Sequence, residues 1–139
     1  MKWVIGKTKL VKRAKTASTV FAKGGLVNMV SGYLLPADAT SGDFYGIVQK
    51  AVVATDDDYA DNTFILVEVP VDKMCEFEAP VDGTLTQALV GTAMDLTDSE
   101  NVNQAATSKE VVTCTKFISA SKGRFILNAT ADVANVATT

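Results

Sequence analysis

The chain has 139 residues, a formal net charge of −3, 47% apolar residues, two cysteines and no histidine. That length supports one domain whose core needs no disulfide or metal staple. The absence of histidine removes the commonest general base and metal ligand. Cys75 and Cys114, without a CxxC or a neighbouring histidine, lack zinc-site spacing and read as small buried side chains.

Charge is unevenly distributed. Residues 1–37 carry Lys2, Lys7, Lys9, Lys12, Arg13, Lys15 and Lys23 and no acid, while all sixteen acidic residues lie beyond. This predicts a basic N-terminal arm over 1–23 on an acidic body, 24–130. Lys7, Lys9, Lys12 and Arg13 break every apolar stretch of the start, which argues against a secretory signal. No run reaches the roughly 18 apolar residues of a membrane helix. Within the arm, Trp3 is a candidate apolar anchor, with Lys7, Lys9, Lys12, Arg13 and Lys15 as its polar rim. The alternative for Trp3 is packing against the chain's own body. A nucleic-acid target is disfavoured, because the acidic body repels a phosphate backbone.

Beyond the arm the apolar runs are short, β-branched and bounded by turn residues. LVNMV (26–30) lies between Gly24-Gly25 and Ser31-Gly32, and YGIVQKAVVA (45–54) between a TSGD turn and the acidic TDDDYADN loop. In that loop Asp56, Asp57, Asp58 and Asp61 lack the alternating spacing and glycine of a calcium loop, so a solvated acidic loop is expected. TFILVEVPV (63–71) is the most β-rich run; its Pro70 suggests a strand end or an edge, and the run is the candidate for an edge open to a neighbour's strand. KMCEFEA (73–79) ends at Pro80, and Asp82-Gly83 predicts a tight reversal. TLTQALVG (84–91) fits either a strand or a helical turn capped by Thr84 and closed by Gly91. KEVVTCTKFI (109–118) places Val112, Cys114 and Ile118 on one face and Val111, Thr113, Thr115 and Phe117 on the other. It returns through 119–123 as RFILNA. The tail, 131–139, reads as a second arm.

Strands at this spacing predict an all-β fold, a small β-barrel or β-sandwich with extended N-terminal and C-terminal arms. No nucleophile motif or phosphate loop is present, and a serine or cysteine nucleophile would need a base other than histidine. A non-enzyme without cofactor or metal is therefore expected. Tyr33, Phe44, Tyr45 and Tyr59 are the candidates for stacking in a carbohydrate- or ligand-binding barrel.

Three stretches set the layout: VFAKGGLVNMVSGYLLPADATSGDFYGIVQKAVV, then FILVEVPVD with VDGTLTQALVGTAMDL, then the hairpin KEVVTCTKFISASKGRFILN. In this arrangement, and in its abundance of Ala, Thr and Val, the chain resembles the small β-barrel capsid decoration (cement) proteins of tailed phages over residues 20–129. The resemblance implies a virion protein made in the host cytoplasm. It would bind the major capsid protein on the shell's outer surface as a homo-oligomer, trimer or dimer, and would have no catalytic residues. A head–tail joining or tail-tube protein is the nearest alternative.

Overall fold

The structure, a computed structural model, describes residues 1–41, 44–72 and 74–128. Eleven strands appear in chain order: β1 (Lys2–Ile5), β2 (Thr8–Ala14), β3 (Leu26–Val30), β4 (Tyr33–Pro36), β5 (Gly46–Val48), β6 (Phe64–Pro70), β7 (Glu76–Asp82), β8 (Ala93–Leu96), β9 (Val102–Asn103), β10 (Val112–Ser119) and β11 (Lys122–Leu127). Among the described residues the helical content is one 3₁₀ turn, Gln87–Leu89. It starts after Thr86, which makes no side-chain cap, rather than at Thr84; Gly91 follows at φ +91°. No helix of the described residues is long and apolar enough to cross a membrane.

The strands form two sheets. In the first, the order β7-β11-β10-β8-β9 closes on itself through a parallel β7–β9 pair, Val81↔Val102 and Asp82↔Asn103. Five strands thus make a small barrel, and β1 lies outside it on β7. The expectation that the 73–79 strand stops at Pro80 does not hold, and the reason is where its nitrogen points. Val81 N–H donates to Ser121 O on the β11 side, so the Pro80 nitrogen faces the opposite edge. There β1 has ended, at Lys2↔Glu78, and β9 has not begun. Proline sits where no ladder bond is asked of it.

In the second sheet the order is β2-β6-β5-β3-β4. The 63–71 run is therefore a central strand, not an edge. Val71 N–H donates to Lys7 O, so the Pro70 nitrogen points away from β2 and past the start of β5. The sheet curls until the end of β2 meets β4, through a Lys15↔Leu34 bridge and Thr16 N–H on Leu34 O at 3.1 Å.

Period-two alternation fills both interiors. Phe77, Ala79 and Val81 of β7 meet Phe125 and Leu127 of β11, with Met94, Leu96 and Val112, and Leu26, Phe44 and Ile47 join this cluster from the second sheet's side. On the other face of that sheet Val11, Val27, Leu34, Val48, Ile65 and Val67 are covered by Phe21 and Val52. Each fully buried aromatic or aliphatic side chain contributes roughly 1.5–3 kcal/mol. In β10 the alternation changes phase. The register shifts between Cys114 and Lys116, leaving Thr115 as the extra residue of a bulge. Val112 and Cys114 point inward as expected, but past the bulge Phe117 packs on the core and Ile118 is exposed.

Residues 2–5 and 8–14 are strands of the two sheets, so the basic segment is part of the body instead of an arm reaching from it. Gly6, at φ +96°, makes the crossing between sheets, and a Cβ there would lie 2.7 Å from Cys75 Sγ. The Met1 ammonium donates to Gly24 O at 2.8 Å. Of the lysines that gave the segment its arm-like composition, Lys2, Lys9 and Lys12 occupy solvent-facing strand positions, and Lys7 and Lys23 are exposed between strands. The expected tail, 131–139, lies outside the described residues.

Candidate binding face

The six residues expected to form a binding arm separate into four groups. Trp3 is turned inward: its Nε1 donates to Glu68 O at 3.0 Å, and its ring meets Phe77 edge-on with centroids 5.5 Å apart. It pins the β1 side of the barrel to β6 of the other sheet. Arg13 is half-buried, with Nη1 donating to Lys12 O at 2.8 Å and its guanidinium carbon 6.0 Å from the centre of the Tyr45 ring. Lys7, Lys9 and Lys12 are exposed.

Lys15 is wholly buried. Its Nζ donates to the carbonyls of Asp58 (2.8 Å), Asp61 (2.5 Å) and Tyr59 (3.4 Å). Three N–H groups thus meet three backbone oxygens of the acidic loop, which folds around the lysine. Lys15 N–H donates to Thr63 O, and Asn62 Nδ2 to Lys15 O, fastening the loop's end to the strand's. Two of the loop's four carboxylates are engaged locally. Asp56 accepts from Val53 N–H at 3.0 Å, and Asp58 accepts from Thr63 Oγ1 at 2.6 Å, which holds its pKa below the usual carboxylate value. The expected solvated loop is a built one, and the cation at its centre is the chain's own.

The surface around the exposed lysines carries apolar side chains. Even-numbered residues of β2 and β6 share one face, in the register Leu10↔Glu68, Lys12↔Leu66 and Ala14↔Phe64. Leu10 is 59% and Phe64 66% exposed. With half-buried Leu66 and Ala14 they make an apolar strip crossed by Lys12. Glu68 is the acid of this face, and Thr8 Oγ1 donates to its carboxylate at 2.5 Å. Exposed Ile5, Val71 and Met74 lie on β1 and the β6–β7 connection. The strip's significance was hidden in sequence, because a leucine and a phenylalanine in β-rich runs read as core.

Backbone direction adds to the face. Because Lys15 N–H points to β6, the odd residues of β2 pair inward and the even ones present their N–H and C=O to the outer edge. Arg13 Nη1 caps the outward Lys12 carbonyl and Leu34 O takes the outward Thr16 N–H. Between these two points and the start of the strand, the outward groups of Thr8 and Leu10 and the Lys12 N–H have no partner among the described residues.

The aromatics considered for sugar stacking do not gather. Phe44 and Tyr45 are buried in different clusters, Tyr59 is half-buried with its OH donating to Ser18 O at 2.9 Å, and Tyr33 is exposed on β4. Cys75 and Cys114 are both buried and free. Burial pushes the Cys114 thiol's pKa up, and Cys75 Sγ donates to Lys7 O at 3.2 Å. A shallow cleft of about 230 Å³ lies beside Met1, Lys2, Glu78 and Lys122. It contains the Lys122–Glu78 ion pair, at 3.0 Å, and no nucleophile set against a base among the described residues.

No protein-family model matches this chain, and no curated protein does. The β2 face and its open edge therefore stand on their own geometry.

Proposed function

We propose that this chain is a structural protein that binds the outer surface of a phage capsid and stabilises it, as a decoration protein. The observation that carries the reading is the β2 face: exposed Leu10 and Phe64 with Lys12 between them, beside a strand edge that is unpaired among the described residues and carries Lys9 on its other side. Apolar residues at the centre of a polar rim are the anatomy of a protein contact, and large side chains there supply most of its affinity. The sequence layout and the small barrel support the assignment to the decoration class. A protein bound in many copies on one shell tolerates a modest contact per copy, since avidity multiplies it.

The test is co-sedimentation with capsid shells. Leu10→Glu with Phe64→Glu should abolish binding while the protein keeps its thermal midpoint, because both side chains are solvent-facing. Lys9→Glu with Lys12→Glu should weaken binding, and added salt should weaken the wild type. Undiminished shell binding by the Leu10→Glu, Phe64→Glu protein would remove the face from the interaction.

A further inference from the structure

We propose that β2 accepts an additional β-strand, and that the strand it accepts is acidic. This rests on the reading of the β2 face as the contact surface and specifies how the partner sits there. The even residues of β2 turn their peptide groups outward, and the N–H and C=O of Thr8 and Leu10, with the Lys12 N–H, are unpaired among the described residues. Edge groups of this kind are a template for strand addition, with backbone bonds giving affinity and alternate side chains giving selectivity. The template has defined limits. Arg13 Nη1 closes it at the Lys12 carbonyl, and β4 closes it at Thr16. About five residues, from Thr8 to Lys12, remain for a guest.

Charge selects the guest. Lys7, Lys9 and Lys12 are exposed on and beside this edge, and β2 itself contains no acid. A second copy pairing β2 against β2 would set these lysines against each other, which like-charge repulsion disfavours. A strand with acidic residues at alternate positions would set them on the face of Lys9, leaving the face of Leu10 and Lys12 to the residues between. Apolar residues beside them would cover Leu10 and Phe64. Glu68, the acid on the same face, is held by Thr8 Oγ1.

The backbone direction supplies a specific experiment. Proline at an even position of β2 deletes an outward N–H and leaves the ladder to β6 intact. Leu10→Pro is compared with Leu10→Ala, which loses the same side chain but keeps the N–H. The probes are a blocked alternating Glu-Val heptapeptide, its Lys-Val counterpart, and capsid shells. Binding of the Glu-Val peptide should slow amide hydrogen exchange at Leu10 and Lys12. The Lys-Val peptide should not bind. Leu10→Pro should bind both Glu-Val peptide and shells at least about tenfold more weakly than Leu10→Ala. Equal binding by the two Leu10 variants, or peptide binding without protection of those amides, would overturn strand addition. It would leave the side-chain face in place if Leu10→Glu with Phe64→Glu still abolished shell binding. Failure of the wild type to bind shells, with peptide binding intact, would instead strike the capsid reading alone. Should Leu10→Pro fail to fold, the exchange measurement on the wild type decides. Pairing of β2 with a second copy would appear as Leu10 and Lys12 protection that grows with protein concentration without peptide, and would overturn the acidic guest.

Discussion

Replacing Lys15 by methionine keeps the length and nearly the volume of the side chain while removing three donors. The Asp58, Tyr59 and Asp61 carbonyls that face Nζ would then face a thioether and methyl group. A hydrogen bond to a charged group is worth about 1.5–3 kcal/mol, and an orphaned buried carbonyl costs about 1–3 kcal/mol. The ammonium no longer has to be desolvated, which offsets part of that loss, and loop oxygens near the surface recover some water. The net is about 3–5 kcal/mol, the range for breaking a buried charged contact by removing one partner. Against a total stability of roughly 5–15 kcal/mol, this is a large fraction. It should lower the thermal midpoint by roughly 10–20 °C. Urea unfolding and amide spectra of 56–63 give the assay, since the loop's resonances should shift while those of β10 and β11 stay. Lys15→Ala should lose more, because it also leaves a cavity, and propylammonium ions should return part of its stability. A Lys15→Met protein within about 1 kcal/mol of wild type, with unchanged loop amides, would refute the idea that the lysine organises this loop.

Gly46→Ala places a Cβ 2.5 Å from Glu68 O in the middle of the second sheet, so β5 and β6 must separate. A loss of about 1–3 kcal/mol or more in denaturant unfolding is expected. Acid should destabilise the fold in a defined window. Hydrogen bonds from Lys122, Thr63 and Thr40 lower the pKa values of Glu78, Asp58 and Asp38 from 4.5, 3.8 and 3.8. Their contribution is complete above those unfolded-state values and is lost as pH falls through the lower folded ones, so the thermal midpoint should hold at neutral pH and drop below 4.5. A midpoint that rises on acidification would contradict this. Both thiols should resist a disulfide reagent at pH 8 in the native protein and react together in denaturant, since both are buried. Deleting residues 1–19 removes β1 and β2 and should give an unfolded or aggregating chain by circular dichroism; a folded, monomeric remainder would show that the N-terminal strands are dispensable.

The fold class was legible because alternation in β7 and β11 is regular and turn residues separate the runs. What escaped sequence reading depended on pairing across long distances. The run at 63–71 looks like an edge because Pro70 lacks a donor, yet which side of a strand a missing N–H faces is set by the partner's register. In β10, one extra residue at Thr115 reverses the faces of Phe117 and Ile118, and nothing local announces a bulge. The basic start misled for a related reason. Lys9 and Lys12 project to opposite faces of β2, and with only Leu10, Val11 and Ala14 as apolar residues from Thr8 to Lys15, a strand with charge on both sides resembles a solvated arm. Lys15 is indistinguishable in sequence from the rest of the rim, because burial of a lysine follows from the loop that closes over it, some 43 residues later in the chain. Leu10 and Phe64 were invisible as a site, since exposure of an apolar residue is a property of the finished sheet.

The pairing of β2 with Phe64–Pro70 and of β1 with β7 has a consequence for how the chain comes together. β1 and β2 wait longer for their partners than the strands that follow, because more than fifty residues separate Thr8 from its neighbour Pro70. Such non-local contacts slow folding, and during the wait an unpaired β-strand is exposed to other chains. The acid-free start gives that waiting segment a strong like charge on every copy, a kinetic guard against premature pairing. The same lysines that leave one edge selective in the finished protein keep the nascent strand single until β6 and β7 have emerged.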